Sequence, residues 1–283
     1  MVVNNISANI DSIFANINST LANIGLNPAN IGPNPANIGP NPANIGPNGN
    51  AIFGNPNGTT LTGTAGNDSL FADADDTVLT GDAGNDTLFG DVATIRIEGG
   101  DGNDTVFGED TSATLIGGAG QDIIFGGSSA DRLEGGDGDD LLLGGGGNDI
   151  LVGGLGADRF GFSNPNEGID QILDFNVAED KIEIQQPVIN TQQLSVSGNA
   201  VVSIGNNVAN NAFASAGLTP NAIISPDQFY IGAGAGDGSD RFIYNNMTGG
   251  FFFDIDGIGP SAQIQLATLS PGLALTNSNI VIS

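Results

Sequence analysis

The stretch that decides the fold is Gly-Gly-Asp-Gly-Asn-Asp-Thr-Val-Phe, residues 99–107. Glycine at positions one, two and four of this unit permits the positive backbone φ angles that a tight turn needs. The same glycines let backbone carbonyl oxygens converge on one point, and the aspartate at position six, Asp104, adds a charged oxygen. The three residues after Asp104 are predicted to form a short strand. The unit therefore predicts a turn that presents oxygen ligands, followed by a strand.

This nine-residue pattern continues over residues 63–161, which divide into eleven nonamers. A fixed nine-residue period with one obligatory apolar residue is typical of a solenoid, in which each unit is a tight turn plus a short strand. We therefore predict that position eight of every nonamer points into the core. Position eight is occupied by Leu70, Leu79, Leu88, Ile97, Val106, Leu115, Ile124, Leu133, Leu142, Leu151 and Phe160.

Eight of the nonamers share the glycine and aspartate pattern in a single register. They are Gly63–Phe71, Gly81–Phe89, Gly99–Phe107, Gly117–Phe125, Gly126–Glu134, Gly135–Leu143, Gly144–Val152 and Gly153–Gly161. Their pattern, GGxGxDxUx, resembles the calcium-binding nonapeptide of RTX (repeats-in-toxin, haemolysin-type) proteins. The resemblance implies a mainly β fold, a right-handed parallel β-roll in which two nonamers form one coil. It also implies that calcium ions lie between neighbouring turns on the same edge, bound by backbone oxygens and by the position-six aspartate of each turn.

The predicted calcium ligands follow from this register. On one edge every turn carries the position-six aspartate: Asp68, Asp86, Asp104, Asp122, Asp140 and Asp158. On the other edge three turns have Thr77, Ile95 or Ala113 in that place, which leaves Asp131 and Asp149. We therefore expect about five calcium ions on the first edge and roughly one or two on the second. The turn residues predicted to complete these sites are Gly63, Gly66, Gly81, Ala83, Gly84, Gly99, Asp101, Gly102, Gly117, Ala119, Gly120, Gly126, Gly135, Asp137, Gly138, Gly145, Gly147, Gly153 and Leu155. Asp170 and Asp174, which follow the last coil, are left open as additional ligands.

Calcium is the expected cation because it accepts oxygen ligands in flexible geometry, whereas magnesium requires a small, rigid octahedron. Coils about 4.8 Å apart would place the aspartates of one edge close together. Like charges at that distance repel by roughly 1 kcal/mol in water and several-fold more near a protein surface. We therefore expect calcium binding to be coupled to folding. The alternative is an acidic solenoid that folds without metal and is merely kept soluble by its charge.

The composition excludes several classes of function. The 283 residues include 5 Lys and Arg against 32 Asp and Glu, a formal net charge of −27, and no His, Cys or Trp. Without His or Cys the chain has no His-assisted nucleophile, no thiolate zinc site and no disulfide. Five scattered basic residues form no phosphate-binding surface for nucleic acid, and no apolar run is long enough to span a membrane. We expect a protein that is not an enzyme.

The regions on either side of the repeats differ from them in composition. Residues 1–25 have apolar side chains at helical spacing and are predicted to form a short amphipathic helix. Residues 26–62 repeat Asn-Pro-Ala-Asn-Ile-Gly-Pro, and proline at this spacing forbids a continuous helix. We interpret this Pro/Asn/Gly-rich segment as a linker; the alternative is a seven-residue repeat that packs on itself or on a partner through its isoleucines.

Residues 162–283 are predicted to form an antiparallel β cap. Asp240-Arg-Phe-Ile-Tyr-Asn and the glycine- and phenylalanine-rich stretch from residue 248 resemble the closing hairpins of serralysin-type RTX proteins, and the last residues resemble their uncleaved C-terminal secretion signal. Because the N-terminus lacks the features of a cleaved signal peptide, the resemblance implies export by type I secretion machinery and a secreted, extracellular or cell-surface location. Asp254-Ile-Asp-Gly begins like an EF-hand loop, but Gln265 replaces the twelfth-position Glu, so we interpret it as a hairpin turn.

Position nine of the first five odd-numbered nonamers is a large apolar residue: Phe71, Phe89, Phe107, Phe125 and Leu143. At coil spacing these side chains would stack on the outer side of the roll, while Arg96, Glu98, Arg132 and Glu134 make the opposite outer face polar. The stripe is either ordinary stacking between coils or a surface for docking or self-association. We expect a calcium-dependent structural or surface protein. The alternatives are a secretion carrier whose N-terminal segment is the interacting part, and an adhesin that binds a cell-surface or matrix partner through the outer face.

Overall fold

The computed structural model describes residues 51–53, 60–72, 78–90, 96–109, 111–185, 213, 218–219, 221–258 and 261–283. The predicted N-terminal helix lies outside the described residues, as does most of the predicted linker. Two of the turns that lack the position-six aspartate, with Thr77 and Ile95, also lie outside them.

Two parallel sheets face each other, and the chain alternates between them from one strand to the next. The first sheet contains β1 (Ala51–Phe53), β3 (Ser69–Phe71), β5 (Thr87–Phe89), β7 (Thr105–Glu109), β9 (Ile123–Gly127), β11 (Leu141–Gly145) and β13 (Arg159–Phe162). The second contains β2 (Leu61–Thr62), β4 (Val78–Ala83), β6 (Arg96–Asp101), β8 (Thr114–Ala119), β10 (Arg132–Asp137) and β12 (Ile150–Leu155). Because each strand pairs with the next strand but one, the fold is mainly β, a parallel β-solenoid as predicted.

The register of these pairs keeps equivalent positions of the repeat in contact. In the first sheet Leu88 pairs with Val106 and Val106 with Ile124; in the second, Ile97 pairs with Leu115. Alternate strand residues point to opposite faces, so position eight of each nonamer points inward. All eleven position-eight side chains are fully buried, which confirms that prediction.

The roll begins upstream of Gly63. Strand β1 pairs in parallel with β3, and β2 pairs in parallel with β4. Leu61 lies opposite Leu79 and is 6% exposed, so it continues the inward column. Both strands lie within residues 26–62, for which the sequence predicts a linker, so that prediction is wrong for these two strands. The solenoid starts before the first of the predicted nonamers.

A cap closes the C-terminal end of the roll. It comprises β14 (Asp170–Ile172), β15 (Lys181–Ile184), β16 (Ala222–Ile223), β17 (Phe229–Ile231), β18 (Phe242–Tyr244), β19 (Gly250–Phe253), β20 (Ile264–Thr268) and β21 (Ile280–Ile282), with 3-10 helices at Pro226–Gln228 and Asn277–Asn279. Strands β14 and β15 extend the two sheets in parallel, and β20 and β21 pair with them in parallel. The antiparallel pairing predicted for this region is found in β18–β19–β20 and in β16–β21.

Aromatic side chains form the core of the cap. Phe242, Phe251 and Phe253 are fully buried and their rings contact one another across β18 and β19. Tyr244, also fully buried, donates a hydrogen bond of 2.6 Å from its hydroxyl to the carbonyl of Ser270. Within the part of the chain that the structure describes, no helix has the length and apolar character needed to cross a membrane.

Close approach of neighbouring coils depends on glycine. Gly118 has a φ of +121°, and an added Cβ would overlap the carbonyl oxygen of Gly100 in the preceding coil. We expect Gly118→Ala to lower the free energy of unfolding by roughly 1–3 kcal/mol from backbone strain alone, with the steric overlap in addition. Denaturant unfolding at saturating calcium measures this difference.

Gly146→Ala is the matched control, because Gly146 has no positive φ and its added Cβ would lie 3.3 Å from the nearest atom, the carbonyl oxygen of Ser128. This substitution should change stability by less than about 1 kcal/mol. Equal effects of the two substitutions would contradict the assignment of the glycines to coil stacking.

Candidate calcium sites

A ladder of aspartates runs along one edge of the roll, with one residue from each coil. The backbone N–H of each aspartate donates to Oδ1 of the aspartate 18 residues later, at 2.7–3.0 Å. All of these carboxylates are almost completely buried, at 1–3% exposure. The ladder consists of Asp68, Asp86, Asp104, Asp122, Asp140 and Asp158. The structure thus brings together the six aspartates that the sequence placed on this edge.

The second carboxylate oxygen of the inner members of the ladder is buried without a hydrogen-bond partner. This applies to Oδ2 of Asp86, Asp104, Asp122 and Asp140. Leaving a charged oxygen buried and unpaired is strongly unfavourable. A Cβ added to Gly99 would overlap Oδ2 of Asp104 and would lie 2.6 Å from the carbonyl oxygen of Gly117 in the next coil. The free oxygen and a backbone carbonyl therefore converge on the space left by a missing side chain.

The first turn is different because Thr64 occupies its second position. Both the backbone N–H and the hydroxyl of Thr64 donate to Oδ2 of Asp68, at 2.6 and 2.8 Å. The Asp68 carboxylate is therefore hydrogen-bonded within its own turn, and the Asp68 N–H joins the ladder by donating to Asp86.

A shorter ladder occupies the other edge. Ala113 donates its N–H to Oδ1 of Asp131, Asp131 donates to Asp149, and Asp149 donates to Asp170, at 2.7, 2.8 and 3.1 Å. Oδ2 of Asp131 and of Asp149 is buried without a hydrogen-bond partner. Asp170, which the sequence left open, is therefore the last member of this ladder and is 4% exposed. Asp174 is exposed and accepts the N–H groups of Gly153 and Gly154 at 2.9 Å each.

Sequence reasoning missed Asp180, which extends the first ladder. The N–H of Asp158 donates to its Oδ1 at 3.0 Å, and its Oδ2 accepts the N–H of Asn176 at 2.7 Å. It is 3% exposed. Its distance from Asp158 is 22 residues rather than 18, so it falls outside the nonamer register. The signal was the alternation of Lys181-Ile182-Glu183-Ile184, which repeats the strand of a coil directly after an aspartate.

The predicted turn carbonyls are also part of the contact between coils. The N–H of Gly84, Gly102 or Gly120, each with a positive φ, donates to the position-three carbonyl of the next coil at 2.6–2.7 Å. The acceptors are Asp101, Ala119 and Asp137, and the N–H of Gly138 makes the same bond to Leu155. A carbonyl oxygen has two lone pairs, so one remains for a cation at each of these positions.

Burial dominates the electrostatics of both ladders. Desolvation, reinforced by neighbouring aspartates, raises the pKa of Asp86 and Asp140 to about 6 and that of Asp122 and Asp158 to about 7. The hydrogen bond from the preceding coil opposes this rise at each of them. On the second edge desolvation raises the pKa of Asp131 to about 7. The metal-free ladder is thus poorly suited to carrying its charges at neutral pH.

The donor set fits calcium. Every available ligand is an oxygen, and both carboxylate and carbonyl oxygens suit a hard cation that accepts several ligands in flexible geometry. Among the residues the structure describes, no group of three or more acidic side chains converges to hold a metal. A cation here would therefore be bound by carboxylates of successive coils together with backbone carbonyls. Bound calcium would give the Oδ2 atoms that have no hydrogen-bond partner a positively charged one.

The raised pKa values predict an unusual pH dependence of the metal-free roll. A carboxyl group with a higher pKa in the folded than in the unfolded chain binds its proton more tightly when folded. The destabilisation caused by these buried charges is therefore complete above about pH 7 and is relieved between about pH 7 and pH 4.

In chelator, we expect the β-structure followed by circular dichroism to increase as the pH falls through this range. With calcium present, the same acidification should weaken calcium binding because protons and calcium compete for the same oxygens. A metal-free roll that is less folded at about pH 5 than at about pH 7.5 would contradict this prediction.

The coils of the roll match a known repeat family in sequence. The family profile described as the RTX calcium-binding nonapeptide repeat (4 copies) matches residues 53–88, 98–131, 108–142 and 125–160. Similar solved structures include the AlgE6R3 subunit of the Azotobacter vinelandii mannuronan C5-epimerase, with 24% sequence identity, a TM-score of 0.32, and coverage of 63% of this chain and 79% of that one. No curated protein sequence matches the chain. The matched residues lie in the coils that carry the aspartate ladders, and this part of the chain therefore consists of RTX calcium-binding nonapeptide repeats.

Proposed function

We propose that this chain is a secreted, non-enzymatic calcium-binding structural or surface protein, whose β-roll folds when it meets external calcium. The observation that carries the proposal is the column of buried carboxylates, one per coil, in which Oδ2 of Asp86, Asp104, Asp122 and Asp140 has no hydrogen-bond partner. Successive carboxylates at coil spacing repel one another more strongly as burial lowers the local dielectric. A cation between the turns removes both the repulsion and the unpaired oxygens.

Calcium binding of this kind is linked to folding by mass action. The ligands come from turns that lie next to each other only when the coils have stacked, so the unfolded chain has no preformed site. Calcium that binds only the folded roll stabilises it in proportion to the logarithm of its concentration. The chain would then be loosely folded in a calcium-poor cytoplasm, suited to passage through type I secretion machinery, and would fold outside the cell.

The outer face of the first sheet supports a surface role. The rings of Phe71, Phe89, Phe107 and Phe125 stack in parallel with centroids 4.9 Å apart, and all four side chains are partly exposed. We call these four residues the phenylalanine ladder. The opposite outer face carries the ion pairs Arg96–Glu98 and Arg132–Glu134. An unbroken apolar stripe on one face is the arrangement expected of a docking or self-association surface. An adhesin would use the same stripe for another partner, and a simple secretion carrier would not need it.

The ladder carboxylates should control the calcium dependence of folding. The double variant Asp104→Asn, Asp122→Asn removes two buried charges and two calcium ligands, whereas Asp101→Asn, Asp137→Asn removes two exposed charges and keeps both backbone carbonyls. We expect the first pair to shift the calcium midpoint of folding at least about tenfold higher, since each lost ligand weakens a site that only the folded state contains. Circular dichroism during calcium titration measures the midpoint.

The control pair should leave the midpoint within about twofold, since exposed charges contribute little. If both pairs shift the midpoint equally, general charge reduction and not ligation controls folding, and the proposal is wrong. A roll that is fully folded in chelator would also contradict it.

The phenylalanine ladder should control self-association. Sedimentation velocity in calcium should show assemblies larger than a monomer for the natural chain, and a monomer for Phe89→Ser, Phe107→Ser, because the substitutions interrupt the apolar stripe. The control Ile116→Ser, Val152→Ser changes two partly exposed residues on the opposite outer face and should still assemble. Assembly that survives loss of the phenylalanines, or a natural chain that stays monomeric, would favour the carrier or adhesin alternatives.

A further inference from the structure

The loop between β19 and β20 contains two carboxylates with an unusual arrangement. Asp254 is only 1% exposed; its Oδ1 accepts the N–H of Asp256 at 3.1 Å, while its Oδ2 is buried without a hydrogen-bond partner. In Asp256, Oδ2 accepts the N–H of Ser261 at 3.1 Å, and Oδ1 is buried without a partner. Two adjacent acidic side chains thus each present an unsatisfied, buried oxygen.

The turn that faces this loop is built like a turn of the roll. Residues 235–243, Ala-Gly-Asp-Gly-Ser-Asp-Arg-Phe-Ile, follow the nonamer pattern with alanine at position one. Asp240 at position six is 4% exposed, and its Oδ2 accepts the N–H of Gly236 at 2.6 Å, as Asp68 accepts that of Thr64. Position eight, Phe242, is fully buried. The sequence pattern therefore occurs once more within the cap. This unit begins at Ala235, 74 residues after Gly161, the end of the last predicted nonamer.

Loop and turn meet through Gly257. This residue has a φ of +67°, and an added Cβ would lie 2.6 Å from the carbonyl oxygen of Asp237 and 2.7 Å from Cα of Gly238. A backbone carbonyl of the turn thus comes close to the residue that directly follows Asp256. In the roll the same combination occurs, namely a buried carboxylate oxygen without a partner and a carbonyl from the neighbouring turn at a glycine.

We propose that Asp254 and Asp256, together with backbone oxygens of the 235–240 turn, bind a calcium ion in the cap, separate from the sites of the roll. The ligands are carboxylate and carbonyl oxygens, which calcium accepts in flexible geometry, whereas magnesium requires a small octahedron. The hairpin interpretation of Asp254-Ile-Asp-Gly is compatible with this site, because two acidic residues suffice when the facing turn supplies carbonyls.

Arg241 is the competing partner for these oxygens. Phe242 and Phe253 are paired on the antiparallel strands β18 and β19, so their neighbours Arg241 and Asp254 lie next to each other. The N–H of Asp254 donates to the carbonyl of Arg241 at 2.8 Å. The guanidinium group instead donates from one terminal nitrogen to the carbonyls of Gly238 and Asp240, at 2.9 and 3.0 Å. Its Nε is buried without a partner. A side-chain ion pair between Arg241 and Asp254 would neutralise the carboxylate without a cation, and the Arg241→Leu variant separates the two cases.

Tyrosine provides a local probe of this site. The chain has two tyrosines and no tryptophan, and both tyrosines, Tyr230 and Tyr244, are in the cap. The ring of Tyr230 lies against the turn, since a Cβ added to Gly236 would be 2.7 Å from its Cε2. Terbium occupies calcium sites and luminesces when excited through a nearby tyrosine. Tyrosine-sensitised terbium emission from the full chain, kept folded in calcium and then titrated with terbium, therefore reports ions bound beside the turn.

We expect the natural chain to show this emission and Asp254→Asn, Asp256→Asn to lose at least about nine-tenths of it. The control Asp227→Asn, which changes an exposed acid in the 3-10 helix next to Tyr230, should keep it. Circular dichroism checks that the variants remain folded. A natural chain without sensitised emission overturns the proposal even if the double variant fails to fold. Emission that is unchanged in the folded double variant, or that appears only in Arg241→Leu, overturns it as well.

Discussion

The fold of the roll depends on offsetting the repulsion and desolvation of a stack of buried carboxylates. Each coil places an aspartate directly above that of the preceding coil, and the backbone N–H of one satisfies only one oxygen of the next. The other oxygen stays buried and unpaired along most of the ladder. A cation between the turns would pair with these oxygens. We therefore propose that calcium is part of the fold, as a hydrophobic core is part of an ordinary globular domain.

One nine-residue period produces both the core and the calcium sites. Position eight supplies a fully buried apolar column, and position six supplies the carboxylate at the start of the same strand. Glycine at positions one and four lets adjacent coils approach so closely that an added Cβ at Gly99 or Gly102 would overlap atoms of a neighbouring coil. Because the coils stack in register, side chains at position nine also stack, and the phenylalanine ladder follows from the same repeat. Structure, ligand binding and surface are thus set by a single spacing.

The sequence predicted most of the roll because its pattern is strictly periodic, and each failure lies where the period changes. Leu61 continues the core, yet the residues around it lack the glycine and aspartate of the repeat, so the start of the solenoid was placed at Gly63. Asp180 joins the ladder after a coil lengthened to 22 residues, which a fixed period does not find. Asp254 and Asp256 are brought to the 235–240 turn by antiparallel pairing of β18 with β19, and such a contact has no repeat to reveal it.

The central claim is that calcium and the folded roll form together. Hydrogen exchange of the backbone amides, measured on the natural chain in chelator and in calcium, tests it strand by strand. The account predicts that the amides from β3 to β13 exchange freely in chelator and become protected together in calcium, because the ladder closes as one unit. Strong protection of these strands in chelator at neutral pH would contradict it, since the buried aspartates would then be tolerated without a cation.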